Sequence, residues 1–389
     1  MLKQLFFFFS ISLLIGLLLF NNLNGRGGYD FLQYWTAGRL LAERKNPYDS
    51  TEQIRIQDAT WHGEEIPRPI KIWNPPTALT YSYFFGIPTF DHAYYAWIVV
   101  TIFIILISLS LLNCVFPLSL HSPILRLAVF TFFCTFRPFI TSIVAGQISP
   151  LLLLGLSLSI FFQHSNKFFL SSLFLTLTTL KPHLLYLYYP LWLLNFRKNL
   201  SKIIAGAVVG ILLLIAIPLY FKPDIFQIYL KVISTPPSTK WITPTISSWL
   251  QIFSDNRYSA TPFLPALITL ILISGITLKQ KKLPKSLISS IIPLSLLTAP
   301  YGWGSDQVLL VPSLMLLFHN MLILYKHNLY KRTVLATLIT LITLNIASII
   351  LSKTLQDHYF IFQPLVVLFF SVLFLRLKDK NRLLYENIE

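Results

Sequence analysis

Four ionisable residues stand within or at the edge of long apolar runs rather than within the basic links that join them: Asp30, Arg137, Lys181 and Asp306. Ionisable groups at the edge of a membrane are costly and mark functional sites by default. Asp30 follows Gly27-Gly28-Tyr29, where the glycines let the chain turn sharply before an apolar stretch. A carboxylate there either caps a helix or acts as a general base toward a hydroxyl. The same two readings are open for Asp306, which closes Pro300-Tyr301-Gly302-Trp303-Gly304-Ser305-Asp306. Arg137 precedes Pro138, and Lys181 precedes Pro182 and His183. Each is either a cation reaching for water or a ligand for an anionic group, and the guanidinium fork suits phosphate. Gly146-Gln147-Ile148-Ser149-Pro150 is a tight turn carrying a polar amide. No phosphate-cradling GxxxxGK loop, no dinucleotide glycine motif and no His-Glu-x-x-His occurs. Soluble nucleotide chemistry and zinc hydrolysis are excluded on that ground, and no cluster of His, Cys and acidic residues calls for a metal.

These residues must be positioned by membrane helices. The chain has 389 residues, of which 54% are hydrophobic and 12% charged, whereas about 25% are charged in a soluble domain. Its mean hydropathy is +0.65. A spanning helix needs about 20 mostly apolar residues. Apolar runs lie near 5–20, 93–116, 124–141, 147–163, 168–181, 183–195, 203–221, 262–279, 286–300, 307–325, 333–352 and 359–376. The expected fold is therefore all-α, a polytopic membrane protein of about 12 transmembrane helices forming a single domain over 1–389. Lys and Arg concentrate in alternate links, at Lys167, at 197–202, at 279–285, at 326–332 and in the tail from Arg376. That bias places those links in the cytoplasm, provided that Lys181-Pro182 is a turn on the opposite side. It also accounts for the net charge of +16 without nucleic acid, for which no reading module is present. The first run lacks a small-x-small cleavage site after Phe20 and reads as an uncleaved helix with a cytoplasmic N-terminus. Cys114 and Cys134 fall in or beside apolar segments and read as packing residues.

Two long segments fall on the outer side, 21–91 and 221–261. Over 31–44, Phe31, Tyr34, Trp35, Leu40 and Leu41 alternate with Arg39, Glu43 and Arg44, which predicts amphipathic helices lying in the membrane interface. Residues 77–87, bounded by prolines, predict a re-entrant or interfacial helix.

Read in order, these motifs resemble a known family. Asp30-Phe31-x-x-Tyr34-Trp35-x-Ala37-x-Arg39 with Asn46-Pro47-Tyr48-Asp49 resembles the first outer loop of glycosyltransferase family 87, bacterial polyprenol-phosphate-dependent enzymes of the GT-C superfamily that include membrane mannosyltransferases. Trp73-Asn74-Pro75-Pro76 resembles its aromatic-x-Pro-Pro segment. Arg137-Pro138 with Gly146-Gln147, then Lys181-Pro182, resemble its middle motifs. Ala299-Pro300-x-x-Trp303-x-x-Asp306-x-Val308-Leu309-Leu310 resembles its late motif, with Ser305 and Asp306 where several members carry a His pair. The resemblance covers about residues 25 to 315.

The resemblance implies a GT-C-like fold and a sugar, possibly mannose, moving from a polyprenyl-phosphate donor to the hydroxyl of a lipid or glycan acceptor. It also implies a bacterial cytoplasmic (inner) membrane, with the site facing the periplasm or exterior. A lipid phosphate leaves as a stable anion and needs cations, whereas the acceptor needs a base; one carboxylate with Arg and Lys is a sufficient set, without metal or cofactor. On that basis Asp30 is the expected base, and Arg137 and Lys181 the expected phosphate ligands. Tyr34, Trp35, Trp73, Asn74, Gln147, His183 and Asp306 are the expected substrate contacts. The alternative is a non-catalytic flippase or transporter of lipid-linked glycans, which would need similar cations.

Overall fold

The computed structural model describes residues 27–61, 69–118, 123–234, 241–254, 260–279, 285–352 and 354–380. The expected first span at 5–20 lies outside the described residues, as do Lys281 and Lys282 of one basic link and Arg382 of the tail. Every described secondary-structure element is helical. Among the described residues six stretches are long and apolar enough to cross a membrane: Phe90–Val115, Pro123–Ala145, Arg197–Phe221, Gly304–Lys326, Lys331–Leu351 and Asp357–Lys378. Ser149–His164, Phe168–Leu180 and Thr261–Thr277 are shorter apolar helices. Several expected spans are divided into pieces. The run from 168 to 195, for instance, is a helix Phe168–Leu175, 3-10 turns at Thr176–Leu180 and Pro182–Leu185, and a helix Tyr188–Asn195. The residue before a proline is pushed away from helical backbone, and Lys181 accordingly has φ −144° and ψ 73°.

The surface of the long helices fits lipid. Ile204, Val208, Leu212 and Leu213 are exposed along Leu200–Phe221, and Leu267, Ile268, Ile271 and Leu272 along Leu264–Lys279. Stripes of that size facing water would be an aggregation liability; facing hydrocarbon they are the expected outer surface of a helix whose backbone bonds are all internal. The chain is an all-helical membrane protein.

Contacts divide the chain into two compact units, one of residues 1–108, 139–182 and 201–237, the other of 109–138, 183–200 and 238–389. In the first unit, α1 (Tyr29–Ala42) is followed by α2 (Ser50–Thr60), α3 (Leu79–Gly86) and the start of α4 (Phe90–Val115). Asp49 caps α2, its Oδ1 accepting from the amides of Thr51 at 2.8 Å and Glu52 at 3.3 Å.

The stretch 31–44, expected as an amphipathic interfacial helix, has its apolar residues covered by the protein itself. Phe31, Leu32, Tyr34, Trp35, Leu40 and Leu41 are all buried inside the protein. The reason is glycine: a Cβ on Gly38 would lie 1.8 Å from the Ser82 carbonyl oxygen, and one on Gly86 2.3 Å from the Arg39 nitrogen. Backbone therefore meets backbone where α1 crosses α3, and α3 covers a face that would otherwise point outward. Phe31, Trp35, Phe90, Tyr94 and Trp97 pack into one aromatic cluster around the start of α1. Arg39, Glu43 and Arg44 toward the C-terminal end remain exposed, as does Tyr29 at the start of α1.

The second unit is built around the helix Val311–Lys326, which is buried on nearly every face. The helices Lys285–Thr298, Lys331–Leu351 and Phe362–Lys380 pack against it. Phe132 and Phe133, from Pro123–Cys134, meet Phe318 edge-on at centroid distances of 5.0 and 5.8 Å.

Candidate active site

In the first unit three distant segments converge on one amide. α1 starts after Gly28, whose φ of +85° suits glycine and whose N–H donates to the Val144 carbonyl at 2.8 Å. Asp30 stands in the first turn, and Gly28, not Asp30, is the N-cap of the helix. The helix Arg137–Ala145 ends at Gly146, which has φ +74° and sits so close to α1 that a Cβ would lie 2.4 Å from the Phe31 Cβ. The Gln147 N–H returns to the Ser142 carbonyl at 2.9 Å, closing a left-handed helix end. That closure aims the Gln147 side chain at α1.

Gln147 Nε2 donates to Asp30 Oδ2 at 2.5 Å, while its Oε1 accepts from Lys181 Nζ at 3.0 Å and from the Tyr34 hydroxyl at 3.2 Å. Lys181 Nζ also donates to Ser149 Oγ at 3.2 Å. The primary amide offers a donor to the carboxylate and an acceptor to the ammonium at once, so these neighbours fix its orientation. Tyr34, Gln147, Ser149 and Lys181 are buried, whereas Asp30 is half-buried. The carboxylate is thus the member of the cluster most open to a substrate, with a cation one amide away.

The shell around Lys181 is also specified. Asn74 Nδ2 donates to the Leu180 carbonyl at 2.9 Å, and Thr77 Oγ1 to the Thr179 carbonyl at 3.3 Å. The Asn74 carbonyl in turn accepts from the Tyr48 hydroxyl at 2.9 Å. Burial, with a smaller contribution from Tyr229, pushes the Tyr48 phenol well above its ordinary range, so it stays a donor. Tyr229 donates to the Trp73 carbonyl at 3.3 Å, and the Trp73 ring is half-buried. Trp35 is placed differently: it is packed edge-on against Phe90, and its indole N–H donates to the Pro88 carbonyl at 3.0 Å. Tyr34 is also buried, edge-on to Tyr81.

The other expected residues lie in the second unit. Arg137 is paired through Nη2 with Asp357 Oδ1 at 3.0 Å, and its guanidinium carbon lies 3.6 Å from the Phe360 ring centroid. Asp306 is buried, and its Oδ2 accepts from the Trp303 amide at 2.8 Å, which closes the start of the 3-10 segment Gly304–Leu310. His183 lies against Tyr301, with ring centroids 4.0 Å apart. Sequence reasoning did not single out Ser149, although it lies within the Gly146-Pro150 motif, nor Asp357, which carries no local motif.

Among the described residues no group of three or more His, Cys, Asp or Glu is placed to hold a metal. Fold and site together define a multi-span membrane protein with a hydrogen-bonded cluster of acid, amide and cation. The family model for glycosyltransferase family 87 matches residues 73–279, just over half of the chain. The chain belongs to that family and is a membrane glycosyltransferase. The matched span holds Trp73, Asn74, Arg137, Gln147, Lys181 and His183; Asp30 and Asp306 fall outside it. No curated protein and no solved structure matches the chain.

Proposed function

We propose that this glycosyltransferase moves a sugar from a polyprenyl-phosphate carrier to a hydroxyl of a lipid or glycan acceptor, with mannose the first sugar to test. The reaction takes place on the non-cytoplasmic face of a bacterial cytoplasmic membrane, in a GT-C-like frame. Asp30 takes the proton from the acceptor hydroxyl, whose oxygen forms a bond to the anomeric carbon. The bond from that carbon to the phosphate oxygen breaks, and the lipid phosphate leaves with the electron pair. A single displacement of this kind inverts the anomeric configuration. Lys181 and Arg137 supply positive charge toward the leaving phosphate. Gln147 positions Asp30, and Trp73, Asn74, His183 and Asp306 are the proposed sugar and acceptor contacts. Tyr34 and Trp35, both buried, are proposed to contribute to the substrate site by shaping its wall.

The observation that carries the reading is the Asp30–Gln147–Lys181 chain, a half-buried carboxylate joined to a buried cation by a single oriented amide. The test is to incubate the purified protein with polyprenyl-phosphate sugars and candidate acceptors and to follow release of the lipid phosphate together with glycosylated product. Release that needs both an acceptor and Asp30 supports the reading. Movement of the intact donor across a bilayer with no release would replace it with the carrier reading.

A further inference from the structure

Arg137 has an anionic partner that its own sequence neighbourhood does not reveal. The side chains of Arg137 and Asp357 are 8% and 26% exposed, so the carboxylate is the more solvated member of the pair. Its second oxygen, Oδ2, accepts from the Gly304 amide at 2.7 Å. A guanidinium and a backbone N–H thus hold the two oxygens of one carboxylate, a donor set that also suits two oxygens of a phosphate. Gly304 is fitted to this arrangement: a Cβ there would lie 2.6 Å from Asp357 Oδ1 and 2.7 Å from Arg137 Nη1. The Phe360 ring backs the guanidinium on one face. Asp357 itself opens a short 3-10 segment, Asp357–Ile361, ahead of the helix Phe362–Lys380.

We infer that the Asp357 carboxylate occupies the seat of a phosphate group: Arg137 and the Gly304 amide hold two oxygens of the phosphate of the polyprenyl carrier, and Asp357 leaves that seat as the phosphate enters. This rests on the reading of Arg137 as a phosphate ligand and adds the Gly304 amide as a second donor and Asp357 as an internal competitor. Exchanging one anion for another means that the buried guanidinium is never left without a counter-charge, the state that makes broken buried pairs costly. It also gives the product a way out, because the returning carboxylate competes with the lipid phosphate for the same donors.

The experiment is a binding and thermal-unfolding series on the full chain in detergent, with polyprenyl phosphate, inorganic phosphate and unphosphorylated polyprenol. D357A, and D357N as the isosteric form, are expected to unfold at lower temperature without ligand. Both should bind polyprenyl phosphate at least tenfold more tightly than the unaltered protein, and inorganic phosphate should stabilise them measurably. G304A should weaken polyprenyl-phosphate binding several-fold, and R137A should abolish the gain seen on D357A. Unchanged or weaker phosphate binding by both Asp357 variants would overturn the exchange, as would stabilisation of D357A by polyprenol alone, and the pair would then be a structural tie. Sugar transfer by the unaltered protein is measured separately. Transfer intact with no gain in D357A or D357N removes this inference alone, whereas absence of transfer removes the reading on which it rests.

Discussion

Asp30 owes its place to an amide, and that placement makes its chemistry testable. Asn at this position keeps the shape and can still meet Gln147 after the amide reorients, but it cannot accept the acceptor's proton. D30N is expected to lower turnover by roughly 10²-fold or more, given what a positioned base contributes, with little change in the unfolding temperature. Near-normal turnover in D30N together with an inactive D306N would move the base to Asp306. K181A should also reduce turnover. Because Lys181 and Asp30 share Gln147, the double variant should lose less than the sum of the two in free energy, a non-additivity readable in a double-mutant cycle. Asp30 and Lys181 could be picked out from the sequence because charges beside apolar runs are rare there. The joining role of Gln147 could not, since an amide reads as a plain turn residue until its two ends are seen to face 117 and 34 positions away. Asp357 escaped for the same reason: its partner Arg137 lies 220 positions earlier, and spacing along the chain carries no trace of the pair.

At the scale of elements, α1 is the case where periodicity left the covering partner open. The alternation of aromatic and charged residues over 31–44 is that of an interfacial helix, and apolar pattern alone does not distinguish lipid from protein as the covering partner. The deciding residues are Gly38 and Gly86, whose role depends on a crossing that only the fold reveals. G38A is expected to destabilise the protein by about 3 kcal/mol or more, at or beyond the upper end of overpacking costs. The obstructing atoms are the Ser82 carbonyl and its backbone neighbours, which no rotamer change can move aside. Because α1 carries Asp30 and Tyr34, turnover should fall with stability. G275A is the control. Nothing lies within 4 Å of a Cβ there, and exchanging a mid-helix glycine for alanine is worth up to about 1 kcal/mol of helix propensity. Thermal unfolding in detergent should therefore separate the two variants clearly, with G38A lower and G275A equal to or above the unaltered protein. Equal unfolding temperatures for G38A and the unaltered protein would show that α1 and α3 do not make this close crossing.

For the whole molecule, the all-helical membrane class was legible from composition and run length, while the division of the runs was not, because prolines and 3-10 turns cut several of them into pieces shorter than a span. Orientation rests on charge. Lys and Arg cluster in links such as 326–332 and are sparser at the membrane edges of the opposite segments, and that bias sets which side stays in the cytoplasm. Residues 21–91 are accordingly expected outside, so that Asp30 meets its donor on the non-cytoplasmic face. The test uses a background in which Cys114 and Cys134, the first exposed and the second half-buried, are replaced by serine. Thr51 and His327 are both exposed, so a cysteine at either position should be reachable from its own side. In intact cells a membrane-impermeant maleimide should label T51C at once and H327C only after permeabilisation. The reverse pattern would place Asp30 on the cytoplasmic face, where the donor would have to be presented from inside, and the proposed site of transfer would change sides with it.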